Sequence, residues 1–214
     1  MFHDFLRWYF ERILEWGYPG IFVMMALEST IVPIPSEVVM PPAAYWAAQG
    51  RLDFWGVVLA GGSGSTFGSA LCYAFTRSVG RAFVARWGRF FLLPPAKLAL
   101  AEAWLADFAL PGIFFSRLLP VVRHLIGFPA GLVRVPFGWF LAVTFVGSTA
   151  WCWVLATFGA ETIGARPDLL EDPEALVAVV KHDLVWFIAG IAVLVAAWLA
   201  ISFYGKRRGS PSKA

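Results

Sequence analysis

Charge is what this chain largely does without. Only 14% of its 214 residues are Asp, Glu, Lys or Arg, against 59% hydrophobic and 17% aromatic, a balance foreign to ordinary soluble domains. Three windows, Phe54 to Thr76, Val135 to Ala160 and Leu184 to Gly205, contain no charged residue. Each is long enough to cross a hydrocarbon core of roughly 30 Å as a helix. Cysteine is nearly missing too. Cys72 and Cys152 each sit inside such a window, so no disulfide framework or zinc spacing can be built, and both read as small buried apolar residues. No Gly-Lys-Ser pattern follows the glycine run Gly61-Gly62-Ser63-Gly64, which argues against a phosphate cradle there and leaves close helix packing as its role. No cofactor and no metal are expected.

The chain therefore reads as an all-α integral membrane protein. Residues 1–17 mix His3, Asp4, Arg7, Glu11, Arg12 and Glu15 with aromatic and aliphatic residues, the pattern of an interfacial amphipathic helix, and lack a cleavable signal pattern. Spanning helices are expected at about 54–76 and 135–160, with a C-terminal transmembrane helix at 184–205. The tryptophans, such as Trp8, Trp16, Trp55, Trp139 and Trp186, read as interfacial anchors.

Lysine and arginine placement sets orientation. Arg77, Arg81, Arg86, Arg89 and Lys97 follow the first window, and Lys206, Arg207, Arg208 and Lys213 follow the last, which places both regions in the cytoplasm. The loop 165–183, rich in Asp168, Glu171, Asp172, Glu174 and Asp183, belongs outside, and residues 206–214 form a basic cytoplasmic tail. These basic residues flank spans, so anionic lipid headgroups are their partners and nucleic acid is not.

Two apolar stretches cannot be plain spans. Pro33, Pro35, Pro41 and Pro42 interrupt residues 18–49, and Pro120, Gly127, Pro129 and Gly131 interrupt residues 111–132, so each reads as a re-entrant hairpin. Irregular backbone at membrane depth persists only when buried in protein or lining a wet cavity. The halves also echo each other. Pro19-Gly20-Ile21-Phe22 recurs as Pro111-Gly112-Ile113-Phe114, and Phe54 precedes Gly64-Ser65-Thr66 by the spacing that separates Phe137 from Gly147-Ser148-Thr149. With residue 77 onward cytoplasmic, the hairpins enter from opposite sides. The expected fold is an inverted repeat of two re-entrant helical hairpins, each followed by a spanning helix, an arrangement many secondary transporters use.

The scarce charges gather at these hairpins: Glu28 and Glu37 flank the first break, Arg117 and Arg123 the second. A charge at the bilayer centre costs on the order of 3 kcal/mol on insertion scales, so the four need mutual compensation or water. Guanidinium matches phosphate bidentately, which makes Arg117 and Arg123 candidates to bind substrate. Glu28 and Glu37 can take up and release protons as their surroundings change, which makes them candidates for proton coupling. For a single pair such as Glu28 with Arg117, a static tie between hairpins explains the charges equally well; for all four it explains less. Glu37 or Arg123 snorkelling to an interface is a further alternative. His124 reads as a polar wall residue, with a proton relay as the alternative. Ser29, Thr30, Ser36 and Ser116 read as partners for freed backbone groups, with a headgroup contact as the alternative, and Pro33, Pro35, Pro120 and Gly131 as structural breaks.

Glu28-Ser29-Thr30 leading into Pro33-Ile34-Pro35-Ser36-Glu37, then Arg117-Leu118-Leu119-Pro120-Val121-Val122-Arg123 with Ala130-Gly131, and Gly147 with Trp151, resemble the DedA family of bacterial membrane proteins over roughly residues 18 to 164. The resemblance implies paired re-entrant hairpins, membership of the wider VTT-domain group, and movement of phospholipids between leaflets. It implies return of undecaprenyl phosphate to the cytoplasmic face, or flipping of phosphatidylethanolamine, driven by the proton-motive force. On matching motif positions it implies Glu28, Glu37, Arg117 and Arg123 as the functional set, although some members carry a differently spaced aspartate where Glu37 stands.

The expected function is a proton-coupled translocase for an anionic lipid phosphate, most simply undecaprenyl phosphate, in the bacterial cytoplasmic (inner) membrane. A general phospholipid flippase or scramblase is the nearest alternative. An integral-membrane lipid phosphatase is another, prompted by Ser116-Arg117 and His124, but the companion motif that would complete its catalytic pair is missing. A scaffold or channel would lack the polar path a channel needs.

Overall fold

A computed structural model describes residues 2–30, 36–87, 103, 105, 110–119, 123–165 and 179. Among them the regular structure is helical throughout: α1 (Phe2–Glu28), α2 (Ser36–Ala48), α3 (Phe54–Trp87), α4 (residues 110–117), α5 (Gly127–Val133) and α6 (Phe137–Ala165). The expected C-terminal helix 184–205, the tail 206–214 and all of the loop 165–183 except residues 165 and 179 lie outside the described residues. So do Pro33, Pro35 and Pro120.

Helix α1 changes direction at Gly17, whose φ of 52° and ψ of −142° suit a residue without Cβ. Pro19 then sits in the first turn after the bend, where its missing N–H leaves no helical bond unmade. Helix α2 corrects one expectation. Pro41 and Pro42 do not interrupt the stretch as expected but lie within the continuous helix Ser36–Ala48. Tertiary packing overrides their helix-breaking tendency, because Pro41 settles against Gly159 of α6, a position with no side chain to obstruct it. Gly127, Pro129 and Gly131 likewise do not interrupt the second segment but form helix α5. Pro129 falls in its first turn, where amides are unpaired in any helix. Gly131, expected at a break, instead lets α5 approach the Tyr73 carbonyl and the Thr76 hydroxyl on α3.

Two cores result. Ile21, Met25, Val39, Met40, Val57, Val58, Trp151 and Leu155 join α1, α2, α3 and α6. Tyr73, Ile113, Ile126, Ala130, Val135 and Phe140 join the far end of α3 to α4, α5 and the start of α6. The Tyr73 hydroxyl fastens the second core by donating to the Val135 carbonyl at 2.5 Å. The glycines of α3 allow the closest approaches: a Cβ at Gly64 or Gly68 would run into the Phe22 or Ala26 carbonyl of α1, and one at Gly62 into Thr149 of α6. Small residues four apart set such interfaces where lipid supplies no hydrophobic drive between helices.

Outward faces are apolar. Trp55, Leu59, Phe67, Leu71 and Phe75 recur at helical spacing on α3, and Trp139, Val146 and Trp153 on α6, all exposed. Stripes this long are unfavourable in water and natural in lipid. Among the described helices, one stretch, Phe137–Ile163 with mean hydropathy 1.6, is long and apolar enough to cross a membrane. Helix α3 carries the uncharged window 54–76, but its Gly61-to-Ser65 run dilutes its hydropathy.

Candidate functional site

The four charged residues meet. Glu28 ends α1, Glu37 lies in the first turn of α2, Arg117 ends α4, and Arg123 occupies the turn before α5. All four are buried, with residue exposures of 2%, 6%, 1% and 6% respectively. None snorkels to an interface.

Their pairing differs from the simplest expectation, in which Glu28 faces Arg117. Arg123 holds both acids: its terminal nitrogen NH2 lies 2.7 Å from Glu28 Oε1 and 3.6 Å from Glu37 Oε2. The same nitrogen donates to Ser36 Oγ at 2.6 Å, and the guanidinium lies 5.1 Å from the centre of the Trp151 ring, a cation–π stack. The Ser36 amide, at the start of α2, donates to Glu28 Oε1 at 3.0 Å. A carboxylate from the first arm thus satisfies an orphan amide of the second. Trp151 Nε1 donates to Ser36 Oγ at 3.4 Å, and that hydroxyl lies 3.5 Å from Glu37 Oε2.

Arg117 stands apart. It donates through NH1 to the Arg123 carbonyl at 2.9 Å, but its Nε and NH2 have no hydrogen-bond partner among the described residues. No carboxylate among the described residues forms a salt bridge with it, although Glu28 lines the same cavity, and the break segments 31–35 and 120–122 contain no charged residue. Two acids are spent on one arginine. The other lines a water-sized cavity of about 10 Å³ together with Glu28, Arg123, Ser65 and Ser148.

The serines fall into two groups. Thr30 Oγ1 donates to the Leu27 carbonyl and Ser116 Oγ to the Ile113 carbonyl, each at 2.6 Å, as expected of residues beside helix ends. Ser36 does more, since it is the hub between Arg123, Trp151 and Glu37. Ser29 Oγ meets Ser65 Oγ of α3 at 2.6 Å. His124 Nδ1 lies 3.1 Å from the Glu28 carbonyl, a wall contact that ties the turn before α5 to the end of α1. Sequence reasoning did not single out Ser65 and Ser148 as site residues, although the recurrence of Gly-Ser-Thr marked both.

Residues 34–161 match the VTT domain family, a span that contains Ser36, Glu37, both arginines and Trp151. The chain belongs to the VTT-domain family, the DedA-type membrane proteins. Undecaprenyl phosphate transporter A of Bacillus subtilis (strain 168) is 31% identical over 76% of this chain and 81% of its own length. The protein of the same name from Staphylococcus aureus (strain NCTC 8325 / PS 47) is 25% identical over 92% of this chain and 96% of its own. An alkaline phosphatase-like protein of Lactococcus lactis subsp. cremoris (strain MG1363) is 30% identical over 68% and 71%. No solved structure matches the chain. Other relatives are named simply as membrane proteins, and with the apolar outer stripes this puts the chain in a membrane.

Proposed function

We propose that this VTT-domain protein moves an anionic lipid phosphate, undecaprenyl phosphate, between the leaflets of the bacterial cytoplasmic membrane, coupled to protons. The observation that carries this reading is the buried Arg117 guanidinium, which has a free edge and no salt-bridge partner among the described residues. A permanently charged group left bare in a low-dielectric site is strongly unfavourable unless an anion completes it, and a phosphate matches that edge in shape and charge. The names of the Bacillus and Staphylococcus relatives support the choice of lipid.

The coupling follows from competition. A phosphate bound beside Arg117 draws on Arg123 too, and so loosens its contacts to Glu28 and Glu37. Carboxylates deprived of their cation in a dry site bind protons more readily. Lipid phosphate and protons thus enter together, with Glu28 and Glu37 as proton carriers and Arg117 and Arg123 as the substrate clamp.

The scaffold for this exchange is the inverted pair of re-entrant hairpins. Equivalent contacts in the two halves support it. Gly64 lies against the Phe22 carbonyl and Gly147 against the Phe114 carbonyl, and the sequence repeat equates Gly64 with Gly147 and Phe22 with Phe114. The chain is then multi-pass with a cytoplasmic C-terminus.

Reconstituted vesicles provide the test. The purified protein is expected to speed leaflet exchange of undecaprenyl phosphate over protein-free vesicles, and a proton gradient is expected to accelerate it. Exchange of phosphatidylethanolamine alone would favour the general phospholipid reading, and exchange of neither lipid would contradict a carrier. Release of inorganic phosphate would revive the phosphatase reading, although His124, the imidazole at the site, is already engaged by the Glu28 carbonyl.

Gly147 gives a sharper prediction. A Cβ there would fall 2.9 Å from Arg117 Cβ and 3.1 Å from its Cγ, tight enough to displace the side chain. Gly147→Ala is expected to slow lipid phosphate exchange about 10- to 100-fold, as small misplacements of a working group do, while the protein still elutes as a folded species.

A further inference from the structure

The cavity beside Arg117 lies where the two halves of the repeat coincide. Ser65 and Ser148 hold the same place in the two Gly-Ser-Thr copies, and Met25 stands to Pro19 as Arg117 stands to Pro111, six residues on. All four of these residues line the one cavity. Duplication therefore supplies it with matched serines from α3 and α6, while one matched pair has diverged into a thioether and a guanidinium. The symmetry is kept for hydroxyls and broken for charge.

Five unpartnered atoms belong to side chains that line the cavity, Arg123 Nε and Nη1 among them. Arg117 Nε and NH2 and Ser148 Oγ are buried without a hydrogen-bond partner among the described residues, and Ser148 is 4% exposed. Buried polar atoms that the protein leaves unpaired are completed by a water, an ion or a ligand. Among the described residues Ser65 Oγ bonds only Ser29 Oγ, in a bond that either hydroxyl can donate, so rotating one hydroxyl frees a donor toward the cavity. At about 10 Å³ the space admits a single oxygen atom and not a whole headgroup.

We infer that Ser148, seconded by its repeat mate Ser65, joins the free edge of Arg117 to form a subsite for one oxygen of a phosphate monoester. The inference rests on the lipid phosphate reading and adds the residues that recognise the headgroup. Arg117 supplies two parallel N–H donors and the charge, and Ser148 supplies a hydroxyl from the opposite helix. A dianionic monoester brings this set three free oxygens and two charges, whereas a phosphodiester brings two oxygens and one charge, so the monoester is the better match.

Titration of the full-length protein in detergent with farnesyl phosphate, and separately with inorganic phosphate, tests this. Ser148→Ala is expected to weaken binding about tenfold, the loss of one hydrogen bond to a charged group, and Ser65→Ala by less. The unfolding temperature of ligand-free Ser148→Ala is expected to hold or rise, because the variant removes an unpartnered buried hydroxyl. A merely structural serine would not raise stability and lower affinity together. Binding of both probes with the same serine dependence assigns recognition to the phosphate alone; binding of farnesyl phosphate only, with that dependence, adds a need for the tail. Serine variants that bind as the wild type does would overturn the subsite and leave the lipid phosphate reading standing. A wild-type protein that binds neither probe would overturn both.

Discussion

Arg117→Met is expected to leave the protein more stable than the wild type and unable to exchange lipid phosphate. Two opposed terms set the stability. Removing a desolvated guanidinium that has no salt-bridge partner among the described residues relieves a penalty of several kcal/mol. Losing its bond to the Arg123 carbonyl strands one backbone acceptor, which costs about 1–3 kcal/mol. The first term wins. Methionine also has a precedent in the fold, since Met25 is the repeat counterpart and already lines the cavity. The functional loss is large because both donors of the free edge go at once; at about 1.5–3 kcal/mol per charged bond exchange falls at least about 100-fold. Thermal unfolding in detergent reads the first effect and vesicle exchange the second. A variant that loses stability as well would make Arg117 a structural tie.

Arg123→Ala is expected to act in the opposite sense on stability. Glu28 and Glu37 are both buried and both held by that side chain, so its removal strands two carboxylates. Breaking a buried pair from one side costs about 3–5 kcal/mol. The stack on Trp151 and the donor to Ser36 Oγ disappear with it. Glu28→Gln on top of Arg123→Ala is expected to recover part of the loss, because one stranded charge is then gone. A double-mutant cycle in unfolding free energy is expected to show coupling of at least about 2 kcal/mol. Strict additivity would mean that Glu28 and Arg123 do not depend on each other. The two arginines, alike in sequence, thus separate by the sign of their effect on stability.

That difference marks the limit of what the sequence made legible. Scarcity of charge announced that Glu28, Glu37, Arg117 and Arg123 belong together, and the structure gathers them. Who pairs with whom was not readable, because pairing depends on where a helix end delivers each side chain. Arg123 reaches the acids from the turn before α5, while Arg117, at the end of α4, spends one nitrogen on a backbone carbonyl. The proline and glycine reading failed where packing prevails: Pro41 lies inside α2 against Gly159, and Gly131 inside α5 against Tyr73. Local propensity is a weak prior when a neighbouring helix offers a surface without a side chain. Ser36 was read as a backbone partner and proved to be the hub of the acid cluster. Ser148 was visible only as half of a repeated tripeptide, whose meaning depends on both copies lining one cavity.

Native mass spectrometry of the detergent-extracted protein tests the central claim most directly, by asking which lipid travels with it and through which residue. The account predicts a retained mass equal to undecaprenyl phosphate on the wild type, absent from Arg117→Met although that variant is at least as stable. Retention of the same lipid by Arg117→Met, or a wild type that carries only neutral or zwitterionic lipid, would contradict it.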